Sequence, residues 1–288
     1  MNLKFSSLAL TLALVLPCGS VLAAAAGQVT LLTGRATSAS SDGTIRNLDK
    51  GSPVFSREFI STGSNSFVNI KFADGGAILI KPNSRFHIEQ FTYPKAEKKN
   101  RNAAPANPAM QRATASRAFF SLLKGGFRAV SGLIGKTDRN EYRVTTPVAT
   151  IGIRGTDYEA ILCDDACASD PMIMEKIGVT TNPQDGLVAS VVHGGIGVTT
   201  IGTAQVSSLR TYRALMQALN LAPTGLVKTA YRPSLFKVAN TDPNTYTVEQ
   251  GQVFFFPKIP GQPPIKLPGM SPNIDNGLKD YSPKDICK

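Results

Sequence analysis

The sequence is poor in the residues that most enzymes use for catalysis. Its 288 residues include two histidines, His87 and His193, and no tryptophan. Neither histidine lies in a nucleophile or metal-binding motif, and the patterns G-x-S-x-G, H-E-x-x-H and the P-loop are absent. These absences exclude the motif-bearing serine hydrolases, zinc peptidases and P-loop nucleotide hydrolases. We therefore expect a protein that is not an enzyme, with no catalytic residue, no cofactor and no metal site.

Long apolar runs are also scarce. One lies near the start, at Leu8–Leu16, after the positive charge of Lys4 and before a series of small residues. This run is short for a membrane span and typical of a secretory signal over residues 1–26, with cleavage between about Ala23 and Ala26. A retained anchor and lipid attachment at Cys18 are the alternatives, although a proline before that cysteine suits lipid processing poorly. We expect a periplasmic or secreted protein that does not span the membrane after signal cleavage.

Cysteines are few, and export would leave three of them, Cys163, Cys167 and Cys287. The spacing of Cys163 and Cys167 lets a tight loop bring their Cα atoms within the range of a disulfide, which the periplasm permits. Free thiols are one alternative. A metal site with Asp164 and Asp165 is another, but zinc would need further ligands. We predict a Cys163–Cys167 disulfide and leave the state of Cys287 open.

Acidic residues are outnumbered by basic ones. The chain has 31 Lys and Arg against 20 Asp and Glu, a formal charge of +11, which becomes +10 when Lys4 is removed (31 − 1 − 20). Much of this excess lies in the segment 94–117, which is too polar to bury itself and is predicted to be a mobile insertion. The alternative is an arm that binds an anionic polymer. Its basic side chains are Lys95, Lys98, Lys99, Arg101, Arg112 and Arg117.

Most of the chain shows the alternation of apolar and polar residues that is typical of strands. The clearest case is 67–72, which Asp74-Gly75 connects to 77–80 as a predicted hairpin. One apolar stripe at helical spacing predicts a short helix over 209–221. The fold class is therefore all-β, either stacked hairpins resembling a solenoid or a sandwich. Further strands are predicted at 28–37, 54–60, 86–91, 186–192, 195–201, 203–207 and 246–256.

Three short segments share a polar residue, a glycine turn and a following strand. They are 123–127, 192–196 and 249–253. We interpret them as a recurring hairpin element, which favours stacked β turns over a single barrel.

The stretch from Tyr142 to Cys167 is predicted to fix how two β layers meet. Its β-branched residues suit a half-buried sheet, while its proline and glycines mark a strand edge, a bulge or a close backbone approach. Asp157 and Glu159 share one strand face, and we interpret them as members of an ion network with Arg154 and Arg143 rather than as an acid–base pair. A buried Arg154 would bond carbonyl groups and Asp157 together. The predicted structural residues are Pro147, Gly152, Arg154, Gly155, Thr156 and Asp157.

The predicted organisation has four parts. The signal peptide covers 1–26, and a β domain with the basic insertion covers 27–160. A β-rich continuation with one helix covers 161–256. A flexible proline-rich tail covers 257–288.

Several blocks in order resemble a FecR-type domain. They are Gly27-Gln28-Val29, the turn from Leu48 to Gly51, Ile60-Ser61-Thr62-Gly63, Phe72-Ala73-Asp74-Gly75-Gly76 and the stretch from Thr146 to Thr156. The resemblance covers about residues 27–160. The chain is similar to the exported, stand-alone members of that family. The resemblance implies an all-β, exported and non-enzymatic protein. The family's namesakes are anti-sigma regulators that sense a siderophore receptor, and we expect this chain to differ from them in having no cytoplasmic sigma-binding region.

The leading functional hypothesis is a non-enzymatic module of the cell envelope that binds a protein or an envelope polymer. One alternative is a component of an iron or siderophore uptake signalling system. Another is a binder of an anionic glycan, lipopolysaccharide or nucleic acid through the basic insertion.

Overall fold

Two large sheets pack face to face in a computed structural model of the chain. It describes residues 24–94, 115–153, 155–163, 186–200, 244–258 and 262–267. Sheet I contains β1 (Gly27–Thr33), β4 (Pro53–Val54), β6 (Phe67–Phe72), β7 (Ala77–Ile80), β10 (Gly126–Val130), β13 (Asp157–Leu162), β14 (Gly186–His193), β17 (Val253–Pro257) and β18 (Ile265–Leu267). Sheet II contains β2 (Ala36–Ala39), β3 (Ile45–Asn47), β5 (Phe59–Thr62), β8 (Arg85–Thr92), β9 (Arg117–Lys124), β11 (Tyr142–Thr145), β12 (Ala149–Ile153), β15 (Gly195–Thr200) and β16 (Thr245–Glu249). The all-β prediction is confirmed, and the strands form two large sheets.

From β6 onward in sheet I and from β5 onward in sheet II, each later strand is added at the same edge of its sheet. Sheet I runs in the order β4, β1, β6, β7, β10, β13, β14, β17, β18, and sheet II in the order β3, β2, β5, β8, β9, β11, β12, β15, β16. Neighbouring strands are antiparallel except β9 and β11, which are parallel. The exception arises because β10 leaves for sheet I between them, and the chain returns through helix α1 (Leu133–Thr137) and a 3₁₀ turn (Arg139–Glu141).

The core lies between the two sheets and is built from alternate residues of nearly every strand. Aromatic rings form its middle, because Phe86 lies 5.5 Å from Phe120 and 5.4 Å from Phe127, and Phe127 lies 5.6 Å from Tyr158 between ring centroids. The same cluster continues to Phe256. The predicted boundary at 160 and 161 falls inside β13, whose neighbours β10 and β14 belong to the two predicted β domains.

The chain passes between the sheets at sharp corners. Among the described residues, every connection between the sheets except that from β10 to β11 contains one residue with positive φ. Left-handed backbone favours glycine and asparagine, which have little or no Cβ penalty there. The corner residues are Gly34, Gly51, Arg57, Asn65, Asn83, Gly125, Gly155, Gly194 and Gly251.

Hydroxyl side chains bond the corners to neighbouring strands. The Ser66 hydroxyl accepts the N–H of Arg35 at 2.9 Å, and the Ser84 hydroxyl accepts the N–H of Gly126 at 2.9 Å. At the opposite edge of the sandwich, the Ser131 hydroxyl accepts the N–H of Thr156 at 2.9 Å. Each bond satisfies a backbone donor that a turn would otherwise leave without a strand partner.

Several strand predictions are confirmed, including β6, β7 and the Asp74-Gly75 hairpin between them. The predicted strands 28–37 and 54–60 are wrong as single strands. A corner at Gly34 divides the first into β1 and β2, and a corner at Arg57 divides the second into β4 and β5. The predicted strand pair at 246–256 consists of β16 and β17, which lie in different sheets. The segments 123–127, 192–196 and 249–253 are corners between sheets and not hairpins within one sheet.

The predicted flexible tail is wrong at two places. Pro257 ends β17, and Ile265–Leu267 pair with β17 as β18, with Leu267 buried. Residues 1–23 of the predicted signal peptide, the strand at 203–207, the helix over 209–221 and the remainder of the tail lie outside the described residues.

Candidate functional site

Asp157 and Glu159 lie on the outward face of sheet I and are ion-paired. Arg128 on β10 donates to both carboxylate oxygens of Asp157, with distances of 3.0 and 2.9 Å. Lys81, at the end of β7, pairs with Glu159, and both side chains are less than a tenth exposed. The interpretation as a structural ion network therefore agrees with the geometry, and within the described residues its cations are Arg128 and Lys81.

Arg143, the predicted partner of these carboxylates, lies in the other sheet. Its guanidinium lies 3.8 Å from the ring centroid of Phe119 and 3.9 Å from a carboxylate oxygen of Glu89. Because β11 belongs to sheet II and β13 to sheet I, the two faces point in opposite directions, and the expected pairing of Arg143 is wrong. Arg154 lies outside the described residues, so its predicted bond to Asp157 stays a prediction.

The other predicted structural residues lie at the joints of β11, β12 and β13. Pro147 lies in the turn between β11 and β12, where the Thr146 hydroxyl accepts the N–H of Ala149 at 2.9 Å. Gly152 lies inside β12, opposite Gly197 of β15. Gly155, with φ of 68°, makes the corner to β13. The hydroxyl of Thr156 then donates to the carbonyl of Gly195 at 2.6 Å.

The predicted anion-binding residues are only partly within the described residues. Arg117 begins β9, and its Nε donates to Glu141 at 3.0 Å. It is thus a member of a surface ion pair. Lys95, Lys98, Lys99, Arg101 and Arg112 lie outside the described residues, and so does Cys167, which leaves the disulfide a prediction.

The outward face of sheet II carries an aromatic stack that sequence reasoning missed. Phe59 of β5 lies opposite His87 of β8, and their rings are parallel with centroids 3.9 Å apart. The guanidinium of Arg85 lies 5.2 Å from the centroid of the same Phe59 ring. Arg85 is exposed, while Phe59 and His87 are partly exposed. Alternation placed these residues on one strand face, but only the register of β5 against β8 brings them together.

His87 is held neutral in this stack. Burial of the ring, and then the positive charge of Arg85, lower the pKa of His87 to about 4. The imidazole therefore contributes a ring surface and hydrogen-bonding nitrogens at neutral pH, and no positive charge.

A row of hydroxyl residues continues across sheet II from His87. The strand register places them side by side on five neighbouring strands, and the Thr199 and Thr245 hydroxyls lie 2.8 Å apart. The row begins beside Glu89, which bonds the first hydroxyl. Its members are Ser121, Thr145, Thr150, Thr199 and Thr245.

We call the outward surface of sheet II, with the Phe59–His87–Arg85 stack and this hydroxyl row, the sheet II face. Its exposed Arg85 guanidinium and partly exposed Phe59 and His87 rings are suited to binding, whereas Ser121, Thr150 and Thr199 of the hydroxyl row are buried. Within the described parts of the chain, no three His, Cys, Asp or Glu side chains form a group that could hold a metal ion. In the same parts no helix is long and apolar enough to cross a membrane.

Comparisons with known proteins agree with the resemblance in the sequence. Residues 58–170 match the family described as FecR protein. A solved structure described as a cell surface anchoring domain is 37% identical, over 22% of this chain and 82% of that chain, with a TM-score of 0.21. Two crystal structures described as a proposed anti-sigma factor from Parabacteroides distasonis ATCC 8503 are 9% and 8% identical, cover 72% of this chain and 58% of theirs, and have TM-scores of 0.36 and 0.35. No curated protein matches the chain significantly.

Proposed function

Residues 58–170 form a FecR-type domain, and from that premise we propose that the chain is a non-enzymatic module of the cell envelope that binds a protein or an envelope polymer. Proteins of this family are associated with the cell envelope. The observation that supports a binding role is the sheet II face, where exposed Arg85 and partly exposed Phe59 and His87 form one ordered stack.

Strand pairing and the buried core hold the side chains of the stack in place. Phe59 and His87 lie on paired strands, and the residues between them on the inner side, Ile60 and Phe86, are fully buried. A partner that meets such a surface loses less binding free energy to the ordering of side chains than one that meets flexible residues. Arginine, the exposed member of the stack, is also among the side chains that contribute most to the binding energy of protein interfaces.

In-cell cross-linking tests this proposal. A photo-reactive amino acid would replace Ser61 or Thr37, which lie on the outward side of sheet II beside the stack. Gln28, exposed on the outward side of sheet I, is the matched control position. We expect adducts with an envelope protein or polymer at Ser61 and Thr37 and none at Gln28. Absence of adducts from both sheet II positions, at normal expression, would overturn the proposal.

The non-enzymatic part of the proposal has its own test. Purified protein incubated with isolated cell-wall glycan should release no soluble fragments, because Asp157 and Glu159, which share one face of β13, are ion-paired with Arg128 and Lys81. Release of fragments above that of heat-inactivated protein would contradict it.

A second candidate is a role in signalling for iron or siderophore uptake, which the FecR family match favours. Deletion of the gene should then reduce the induction of a siderophore receptor by its ferric ligand. Wild-type induction in the deletion strain, with restoration of the gene as the control, would exclude this role.

A further inference from the structure

One edge of the sandwich carries basic side chains at successive corners. Arg35 follows the corner from β1 to β2, Arg85 follows the corner from β7 to β8, and Lys124 precedes the corner from β9 to β10. All three side chains are exposed. We call this surface, together with the corner at Asn65 and the corner residue Asn83, the basic edge.

Backbone hydrogen bonds hold these corners at the spacing of neighbouring strands. The N–H of Gly63 donates to the carbonyl of Arg35, and the N–H of Asn83 donates to the carbonyl of Gly63, each at 3.0 Å. Next in order, Ser84 bonds the N–H of Gly126 at 2.9 Å. Strand spacing of about 4.8 Å therefore sets the separation of the corners along the stack.

The basic edge contains no acidic residue in its corners. The residues 33–35, 63–66, 82–85 and 123–126 include three basic side chains and no Asp or Glu. The opposite edge mixes signs, since Asp138 and Glu141 lie there with Lys136 and Arg139 around α1. An edge with one sign of charge concentrates anions, whereas a mixed edge does not.

The side chains of the basic edge suit anionic groups and polar groups together. Arg85 lies over the Phe59 ring, which orients its planar fork of donors for a carboxylate, sulfate or phosphate. Asn65 and Asn83 are exposed beside it and offer amide donors and acceptors. This combination of charge and amides matches a polymer that alternates anionic groups with hydroxyls.

We propose that the basic edge binds an anionic polysaccharide that lies along the stacking direction of the strands. This inference rests on the proposed binding function and names the polymer class. A single-stranded nucleic acid fits less well, because its bases need free aromatic faces for stacking. The Phe59 ring already contacts His87 and Arg85.

Polygalacturonate is the test probe, and neutral dextran and a single-stranded oligonucleotide are the comparisons. The full mature chain would be measured by biolayer interferometry at several salt concentrations. The edge variant is Arg35→Gln/Arg85→Gln/Lys124→Gln. The matched control is Lys136→Gln/Arg139→Gln/Lys266→Gln, which removes the same charge from exposed positions elsewhere. Melting curves check folding, and Lys124→Glu alone replaces the edge variant if that variant unfolds.

We expect salt-dependent binding of polygalacturonate, no binding of dextran, and an affinity about tenfold lower in the edge variant than in the control. Lys124→Glu alone should also bind more weakly than the wild type. Absence of binding, equal losses in both triple variants, or tighter binding of the oligonucleotide would overturn the inference. If in-cell adducts at Ser61 persist while polygalacturonate does not bind, only this inference fails, and the proposed binding function stands.

Discussion

Lys81 and Glu159 form an ion pair with side chains 6% and 8% exposed. A buried charge loses its hydration free energy, and the opposite charge of its partner compensates for that loss. Removal of one member therefore leaves the other as an uncompensated buried charge. The pair is absent from sequence-based expectation because Lys81 and Glu159 are far apart in the chain. Their meeting depends on the placement of β10 between β7 and β13.

Removal of one member of this pair should be costly. We expect Glu159→Gln to lower the free energy of unfolding by about 3 kcal/mol, because the buried ammonium of Lys81 loses its carboxylate. The double variant Lys81→Met/Glu159→Leu should lose less than half of that free energy of unfolding, because it leaves no buried charge without a partner. Urea unfolding measures both, and Glu141→Gln, from a pair about a third exposed, is the control with a loss of about 0.5 kcal/mol. Equal losses at the two pairs would contradict this prediction.

His87 should make stability depend on pH. Its folded pKa of about 4 is below its unfolded pKa of 6.5, so the unfolded chain binds the proton first as pH falls. The neutral ring therefore contributes fully above pH 6.5, and the contribution is lost between pH 6.5 and 4. We expect a loss of about 2 kcal/mol, reduced by the solvent contact of the ring.

The comparison is with His87→Phe, which keeps a ring against Phe59 but cannot titrate. The difference in unfolding free energy between wild type and variant should shift in favour of the variant as pH falls from 6.5 to 4. A difference that is constant over this range would show that His87 titrates normally.

At the scale of elements, the corners between the two sheets are the positions most sensitive to substitution. A glycine at positive φ costs nothing there, whereas a residue with a Cβ is strained, and some corners also lack space. At Gly125 an added Cβ would overlap the Ser84 hydroxyl and lie 2.7 Å from Ser84 Cα. At Gly75, in the β6–β7 hairpin with φ of 84°, an added Cβ meets nothing within 4 Å.

These two glycines make a matched pair of variants. Gly75→Ala should cost about 1 kcal/mol from backbone strain alone. Gly125→Ala should cost about 3 kcal/mol or more, because strain and overlap add. Thermal and urea unfolding measure both. Similar losses would show that the β9–β10 corner can widen freely.

Some of these turns and strands could be predicted from the sequence, and others could not. Asp74-Gly75 predicted its hairpin correctly because that turn type depends on two local residues. The glycines at 125, 194 and 251 were recognised as turns, but local chemistry does not tell whether a turn stays in one sheet or passes to the other. The corner at Arg57 carries no glycine, so the pattern there was interpreted as one strand.

At the scale of the whole molecule, one core connects early and late strands. Val29 on β1 and Phe256 on β17 belong to the same buried cluster. Sequence analysis divided this body at residue 160, where the resemblance to a FecR-type domain ends. Alternation predicted which residues face inward, but the candidate site depends on register between strands, which alternation leaves open.

A single core predicts a single cooperative transition. Calorimetry of the full chain should give one unfolding peak with equal calorimetric and van't Hoff enthalpies, since neither half can unfold without exposing the other. Two resolved transitions would indicate that the halves are independent.

From β6 onward in sheet I and from β5 onward in sheet II, the order of the strands in the sheet follows the order of the chain. A polypeptide that leaves the ribosome N-terminus first can therefore pair β1 with β4 and β6 before β17 has been synthesised. Each later strand can then pair with the backbone groups at the edge of a sheet that has already formed. Assembly in this protein can thus proceed as the growth of a structure from one end, with the most recent strand always at the margin.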